Sequence, residues 1–296
     1  MDFFAQDTRI ELPLGSTEFN RDAEEHPTIN LEMPSASRFV IGIKAATLTM
    51  HLPKGNPARK RPVVLICPGG GYFGLSLDKE GHFLASFLNR HRIAAAVLKY
   101  RMPVKETNLA VSWPLPFEDA LSALATLKEY SNEWALDLDR LAIMGFSAGG
   151  HLAGSVGLRF DEIRGSRDLP RPCCLALVYA VVSASRVSNE EPIASTLKNL
   201  LQDVATPENL AAYSLEKHVM PDSPSLFLAH AKDDDIVPLW HSELLLEMAH
   251  ANKVPATLCI CPAGGHGFGG VGPDGHASLW LDEFINWFLS HEFQKP

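Results

Sequence analysis

Between residues 63 and 261 the chain alternates short, continuously apolar runs with amphipathic segments. The runs at 63–67, 94–99, 141–144, 175–180, 225–229 and 257–261 lack a period of two, so the strands they predict are buried on both faces. In the intervening segments apolar residues recur at steps of three and four, as at Phe117, Ala120, Leu121, Leu124 and Leu127. This spacing predicts helices over 79–90, 117–134, 148–159, 239–251 and 275–291. Doubly buried strands separated by amphipathic helices predict an α/β architecture, a mostly parallel central sheet with helices on both faces.

The flanking pattern differs. From Ala46 the sequence Ala-Thr-Leu-Thr-Met-His-Leu alternates with a period of two, which predicts an antiparallel strand near a sheet edge. Residues 53–62 read as a basic turn, and the polar, proline-containing stretch 1–36 reads as an irregular N-terminal arm over the domain. Residues 37–296 are expected to form one domain, because sheet-centred folds of this length commonly share a single core. Within it, 183–223 is polar, with weak helical patterns over 193–201 and 207–213. We read it as a cap-like insertion beside the crevice where open α/β sheets bind ligands, placed to shape a pocket.

Charge narrows the partners. With 26 basic and 35 acidic residues the formal charge is −9, which disfavours nucleic acid and anionic membranes as partners. No apolar stretch approaches the roughly 20 residues that span a bilayer, and the N-terminal residues lack the pattern of a secretory signal. The expected location is the cytoplasm. Cys67, Cys173, Cys174, Cys259 and Cys261 lie in apolar runs without zinc-ligand spacing, so they are expected to be structural thiols, and no metal is expected.

Chemistry gathers at the predicted strand ends. Gly145-Phe146-Ser147-Ala148-Gly149 joins a buried strand to a helix, the setting of a sharp turn that exposes a nucleophilic serine at a helix N-terminus. Pro68-Gly69-Gly70-Gly71-Tyr72 ends the strand at 63–67. Its glycines let backbone N–H groups approach a substrate oxyanion, with Gly70, Gly71 and Ala148 as candidate donors. A phosphate cradle is excluded, since neither the Walker lysine nor G-x-G-x-x-G spacing is present. Asp233, Asp234 and Asp235 follow another strand, and each could orient a histidine. His266, flanked by glycines just after the last strand, completes the order serine, acid, histidine. Its rivals, His151 and His276, fall on predicted helices instead.

These strings, together with Lys79-Glu80-Gly81, Tyr100-Arg101 and Gly149-Gly150-His151-Leu152-Ala153, resemble the esterase and lipase-like α/β-hydrolases that include bacterial acetylxylan esterases. The resemblance covers about residues 60–290. It implies the α/β-hydrolase fold with Ser147 as nucleophile, His266 as base and the aspartate three positions before Val237 as acid. That residue is Asp234, with Asp235 as the fallback. Pro68 stands where the hormone-sensitive-lipase branch has histidine, which leaves the oxyanion glycines in place. The resemblance further implies removal of short acyl groups, especially acetyl, from sugars or oligosaccharides through an acyl-enzyme, with no cofactor. The expected partner is a small-molecule or oligosaccharide ester, inside the cell an imported oligosaccharide. The sequence leaves association into a homo-oligomer open. A general short-chain carboxylesterase, an arylformamidase-like amidase and an inactive binding module on the same fold are the competing readings.

Overall fold

The computed structural model describes residues 8–11, 26–29, 38–43, 45–55, 59–103, 114–187, 193–201, 206–270 and 278–290. Its main sheet has eight strands, ordered β1 (Thr8–Glu11), β4 (Thr47–His51), β7 (Ala94–Lys99), β5 (Arg61–Cys67), β8 (Leu136–Phe146), β9 (Cys174–Val178), β10 (Ser225–Ala231) and β11 (Ala256–Cys261). The strands from β7 to β11 run parallel, whereas β4 pairs antiparallel with both β7 and β1. The parallel strands coincide with the six apolar runs. Every residue of β7, β9 and β10 is buried, whereas β11 is half-exposed because it closes the edge.

A smaller sheet pairs β2 (His26–Ile29) with β3 (Arg38–Ile41) and β3 with β6 (Gly74–Ser76), all antiparallel. The expectation of an irregular arm over 1–36 therefore needs correction. Thr8–Glu11 adds to the main sheet by pairing with β4, and His26–Ile29 adds to the smaller one. Each segment is only four residues long, too short for periodicity to mark, and its ladder is completed by strands distant in sequence.

Helices α1 (Phe83–Arg90), α2 (Leu115–Glu129), α3 (Ser147–Leu158), α4 (Phe160–Arg164), α7 (Trp240–Ala251) and α8 (Leu279–Ser290) accompany the sheet. Helix α2 stops before the expected 134: Tyr130 leaves helical geometry (φ −91°, ψ 6°) and its ring stacks on Trp134 at 4.8 Å. Strand β8 begins earlier than expected, at Leu136, where polar Asp137, Asp139 and Arg140 disguise it and its register against β5 shifts. Strand β9 ends at Val178 because Tyr179 turns to positive φ (37°). A π-helical turn, Asp78–His82, leads into α1. The insertion holds α5 (Ala194–Leu201), α6 (Pro207–Ala212) and a 3₁₀ turn, Leu215–His218. Ile193 and Leu197 bury against Val181, Ala184 and Val237, so a small apolar cluster of its own seats α5 on the segments that follow β9 and β10. Among the described residues no helix is long and apolar enough to cross a membrane.

Candidate active site

Ser147 is the first residue of α3 and directly follows β8. It has φ 51°, a left-handed conformation that costs about 1–3 kcal/mol outside glycine. Close packing enforces it. A Cβ at Gly149 would lie 2.1 Å from the carbonyl oxygen of Cys67 and 2.3 Å from that of Pro68, so only glycine lets α3 start against the end of β5. The turn therefore carries the serine at the carboxyl end of the sheet.

The glycine loop lies beside it. Gly70 has φ 144°, and a Cβ there would meet the carbonyl oxygen of Gly74 at 2.0 Å. The loop's other backbone groups are tied away from the serine. Tyr100 Oη–H donates to Pro68 O (2.7 Å), Ser76 N–H to Gly69 O (2.9 Å), Phe73 and Gly74 N–H to Gly70 O (3.0 and 3.1 Å), and Asn199 Nδ2–H to Gly71 O (2.8 Å). Gly69 N–H is held by the Glu80 carboxylate at 2.7 Å. Gly70, Gly71 and Ala148 donate their N–H groups to no described residue, and the N–H of Ala148 belongs to the first helical turn, where no intrahelical acceptor exists. Gly70, Gly71 and Ser147 line one cleft of about 380 Å³. Unengaged backbone N–H groups of this kind are what an oxyanion would require.

His266 spans the gap between serine and acid. Ser147 Oγ–H donates to Nε2 at 3.0 Å, and Nδ1–H donates to Asp234 Oδ2 at 2.8 Å. The other oxygen of Asp234 accepts N–H groups from Ile236 (3.0 Å) and Val237 (2.9 Å), and His230 Nε2 lies 3.4 Å from Oδ2. Burial pushes the Asp234 carboxyl up, but the contacts with His230 and His266 and the Val237 N–H outweigh it and leave it well below the usual carboxylate range. Asp234 is thus an anion at neutral pH. Of the three aspartates it is Asp234 that bonds His266, and it is buried whereas Asp233 and Asp235 are exposed. Asp233 instead accepts the Gly265 N–H at 2.9 Å and pins the histidine loop.

Of the two rival histidines, His151 lies away from the cleft. His151 is fully buried, donating from Nε2 to Tyr213 O (2.8 Å) and accepting Tyr72 Oη–H at Nδ1 (2.9 Å), with burial lowering its pKa to about 4. His276 lies outside the described residues.

Several site residues escaped the sequence reading. Thr196 of α5 lines the cleft and Asn199 holds the glycine loop, so the insertion does reach the pocket. Arg38 of β3 lines it too, fixed by a bidentate pair with Asp78 (Nη2–Oδ1 2.7 Å, Nε–Oδ2 2.9 Å). Phe39 and Ile236 add apolar surface and Lys79 a cation. Glu80 is buried, and Tyr179 Oη–H donates to its Oε1 at 2.8 Å. The Tyr179 ring meets His266 edge-on at 5.1 Å. Burial pushes the Glu80 carboxyl up, opposed by the bonds from Tyr179 and Gly69. The only available signal for Glu80 was its place in Lys79-Glu80-Gly81, which reads as an ordinary acidic first helical turn. Among the described residues no cluster of histidine, cysteine, aspartate or glutamate could hold a metal.

Comparison with known proteins finds a matching family and several similar chains. Residues 48–248, more than half of the chain, match the BD-FAE family. Endo-1,4-beta-xylanase B of Butyrivibrio fibrisolvens is 32% identical over 242 residues, which are 79% of this chain and 35% of that protein. An acetylxylan esterase from Xylanibacter ruminicola is 28% identical over 270 residues, 88% of this chain and 52% of that protein. The chain thus spans about a third and about half of these relatives' lengths. Among solved structures, an acetyl ester-xyloside bifunctional hydrolase from Caldicellulosiruptor lactoaceticus is similar with a TM-score of 0.69 and 28% identity, covering 92% of this chain and 98% of that one.

Proposed function

The chain belongs to the BD-FAE family of esterase and lipase-like α/β-hydrolases, and from that membership we propose that it is a serine esterase that removes short acyl groups, foremost acetyl, from sugars or oligosaccharides. The observation that carries the proposal is His266 hydrogen-bonded to both Ser147 and Asp234 at the mouth of a cleft lined by free glycine N–H groups.

Ser147 Oγ attacks the acyl carbon while His266 Nε2 takes its proton. Asp234 holds the tautomer that leaves Nε2 free to accept, and its charge stabilises the imidazolium that forms. The N–H groups of Gly70, Gly71 and Ala148 receive the developing oxyanion, a donor of this kind contributing about 3–4 kcal/mol to the transition state. His266 then protonates the departing alcohol, and the same residues reverse these roles as water attacks the acyl-enzyme. No cofactor enters this sequence.

The sugar preference rests on the names of the similar proteins and on the polar groups of the cleft, Arg38, Lys79 and Thr196. Phe39 and Ile236 favour a second reading, a general short-chain carboxylesterase. Two measurements test the proposal. A fluorophosphonate should label Ser147 under native conditions, and an unlabelled serine would remove the enzyme reading. Mass spectrometry of acetylated xylo-oligosaccharides should show loss of acetyl groups faster than hydrolysis of aryl octanoates. Intact sugar acetates beside turned-over octanoate would select the carboxylesterase instead.

A further inference from the structure

Glu80 is a carboxylate that the proposed mechanism does not use, yet both of its oxygens are engaged at the site. Oε2 accepts the Gly69 N–H at 2.7 Å, one residue before the free donors Gly70 and Gly71. Oε1 accepts Tyr179 Oη–H at 2.8 Å, and Tyr179 Oη in turn accepts the Gly269 N–H at 3.2 Å, three residues beyond His266. The same tyrosine packs its ring against His266 at 5.1 Å and against Phe268 at 4.7 Å. Its own backbone is fixed at positive φ (37°), with its N–H donated to Ala229 O at 2.7 Å. The chain Gly69, Glu80, Tyr179, Gly269 is therefore an unbroken line of hydrogen bonds from the glycine loop to the histidine loop.

Satisfying a buried carboxylate this way has a structural cost, since taking it out of water is unfavourable unless its oxygens find donors. An apolar residue would fill the same volume without that penalty. What the carboxylate adds is two directed contacts at a fixed span, which neither a leucine nor a single backbone bond supplies.

We propose that Glu80, acting through Tyr179, is a positioning residue that holds the oxyanion donors and His266 in common register around Ser147. The proposal rests on the serine esterase reading. Glu80 lines the cleft, but both of its oxygens are held by the Gly69 N–H and Tyr179 Oη–H, so it acts through the spacing of the groups it ties. Its loss affects the transition state, where loop and histidine must act together, more than the initial docking of substrate.

The test is a double-mutant cycle on the full chain with Glu80→Gln, Tyr179→Phe and the pair, using 4-nitrophenyl acetate. Melting temperatures identify any variant that must be assayed at lower temperature. Each single variant should lose about 10–100-fold in kcat, with KM within about threefold of the parent, the size expected for loosening rather than deleting oxyanion donors. The double variant should lose little more than the worse single one, because both substitutions cut the same line. Tyr179→Phe removes a single oxygen, so it keeps the test open should Glu80→Gln fold poorly. Unchanged kcat, a loss confined to KM, or multiplicative losses in the double variant would each overturn the proposal. Failure of the parent protein to turn over any ester or to label at Ser147 would instead strike the esterase reading.

Discussion

His151 shares helix α3 with Ser147 while His266 reaches the serine from a loop, and the two histidines live in opposite chemical surroundings. His151, one turn after Ser147 on the helix, is sealed in the core, where a carbonyl and a phenol occupy its two nitrogens. His266 approaches from a loop, with a fifth of its side chain exposed and its nitrogens on an anion and a hydroxyl. The first environment holds the ring neutral, with burial lowering its pKa to about 4. The second provides a carboxylate to stabilise added charge and solvent access for water and product. The residue type is shared, so it is the partners and the depth of burial that separate His151 from the histidine proposed as base.

The contrast can be attacked from both sides. The largest effect is expected at the cleft: Ser147→Ala or His266→Ala should each lower kcat by about 10⁴–10⁶-fold, as for other triads, while circular dichroism stays unchanged. Next, Asp234→Asn should cost about 10⁴-fold in kcat by favouring the wrong tautomer, whereas Asp235→Asn should leave steady-state kinetics within about twofold of the parent, as surface changes generally do. Equal losses at the two aspartates would void the assignment.

The buried histidine should behave in reverse. His151→Leu strands the Tyr213 carbonyl and the Tyr72 hydroxyl in the core, so urea denaturation should show a loss of about 1–3 kcal/mol of stability for each. Turnover of the folded fraction should fall by less than about tenfold, since no proposed reacting group is touched. The smallest effect is a slope. Burial lowers the pKa of His51 to about 3, of His151 to about 4 and of His241 to about 3. The unfolded chain binds these protons first, so their contribution to stability is complete above the unfolded value of about 6.5 and drains away as pH falls from there toward the folded values. Each titration contributes at most about 1.4 kcal/mol per pH unit. Urea titrations from pH 7 to 4 should therefore show stability falling with acid, and His151→Leu should flatten that fall.

The parallel strands were legible because double burial leaves unbroken apolar runs, as in Val63 to Cys67. The edges were not. Thr8–Glu11 and His26–Ile29 become strands through partners far along the chain, and β8 conceals its first residues behind aspartates and an arginine. Ser147, His266 and the glycine loop could be read because strand ends in this architecture converge on one edge. Asp234 could not be separated from its neighbours by spacing alone. What separates it is burial, together with two backbone N–H groups aimed at one oxygen. Glu80 stood in the Lys79-Glu80-Gly81 string without a role and Tyr179 went unmarked for a related reason: an acid in a first helical turn and a tyrosine at a strand end are ordinary in sequence, and only their meeting across 99 positions suggests what they do.

The bond from Asn199 to Gly71 joins the most irregular part of the chain to the groups proposed to bind the oxyanion. Transplanting the insertion from another family member would import a new pocket wall and a new tether on the reaction centre in one stroke, so selectivity and speed would be inherited as a package. A protein engineer seeking a different ester should instead redraw Thr196, on the same helix and facing the cleft, and leave Asn199 as it stands.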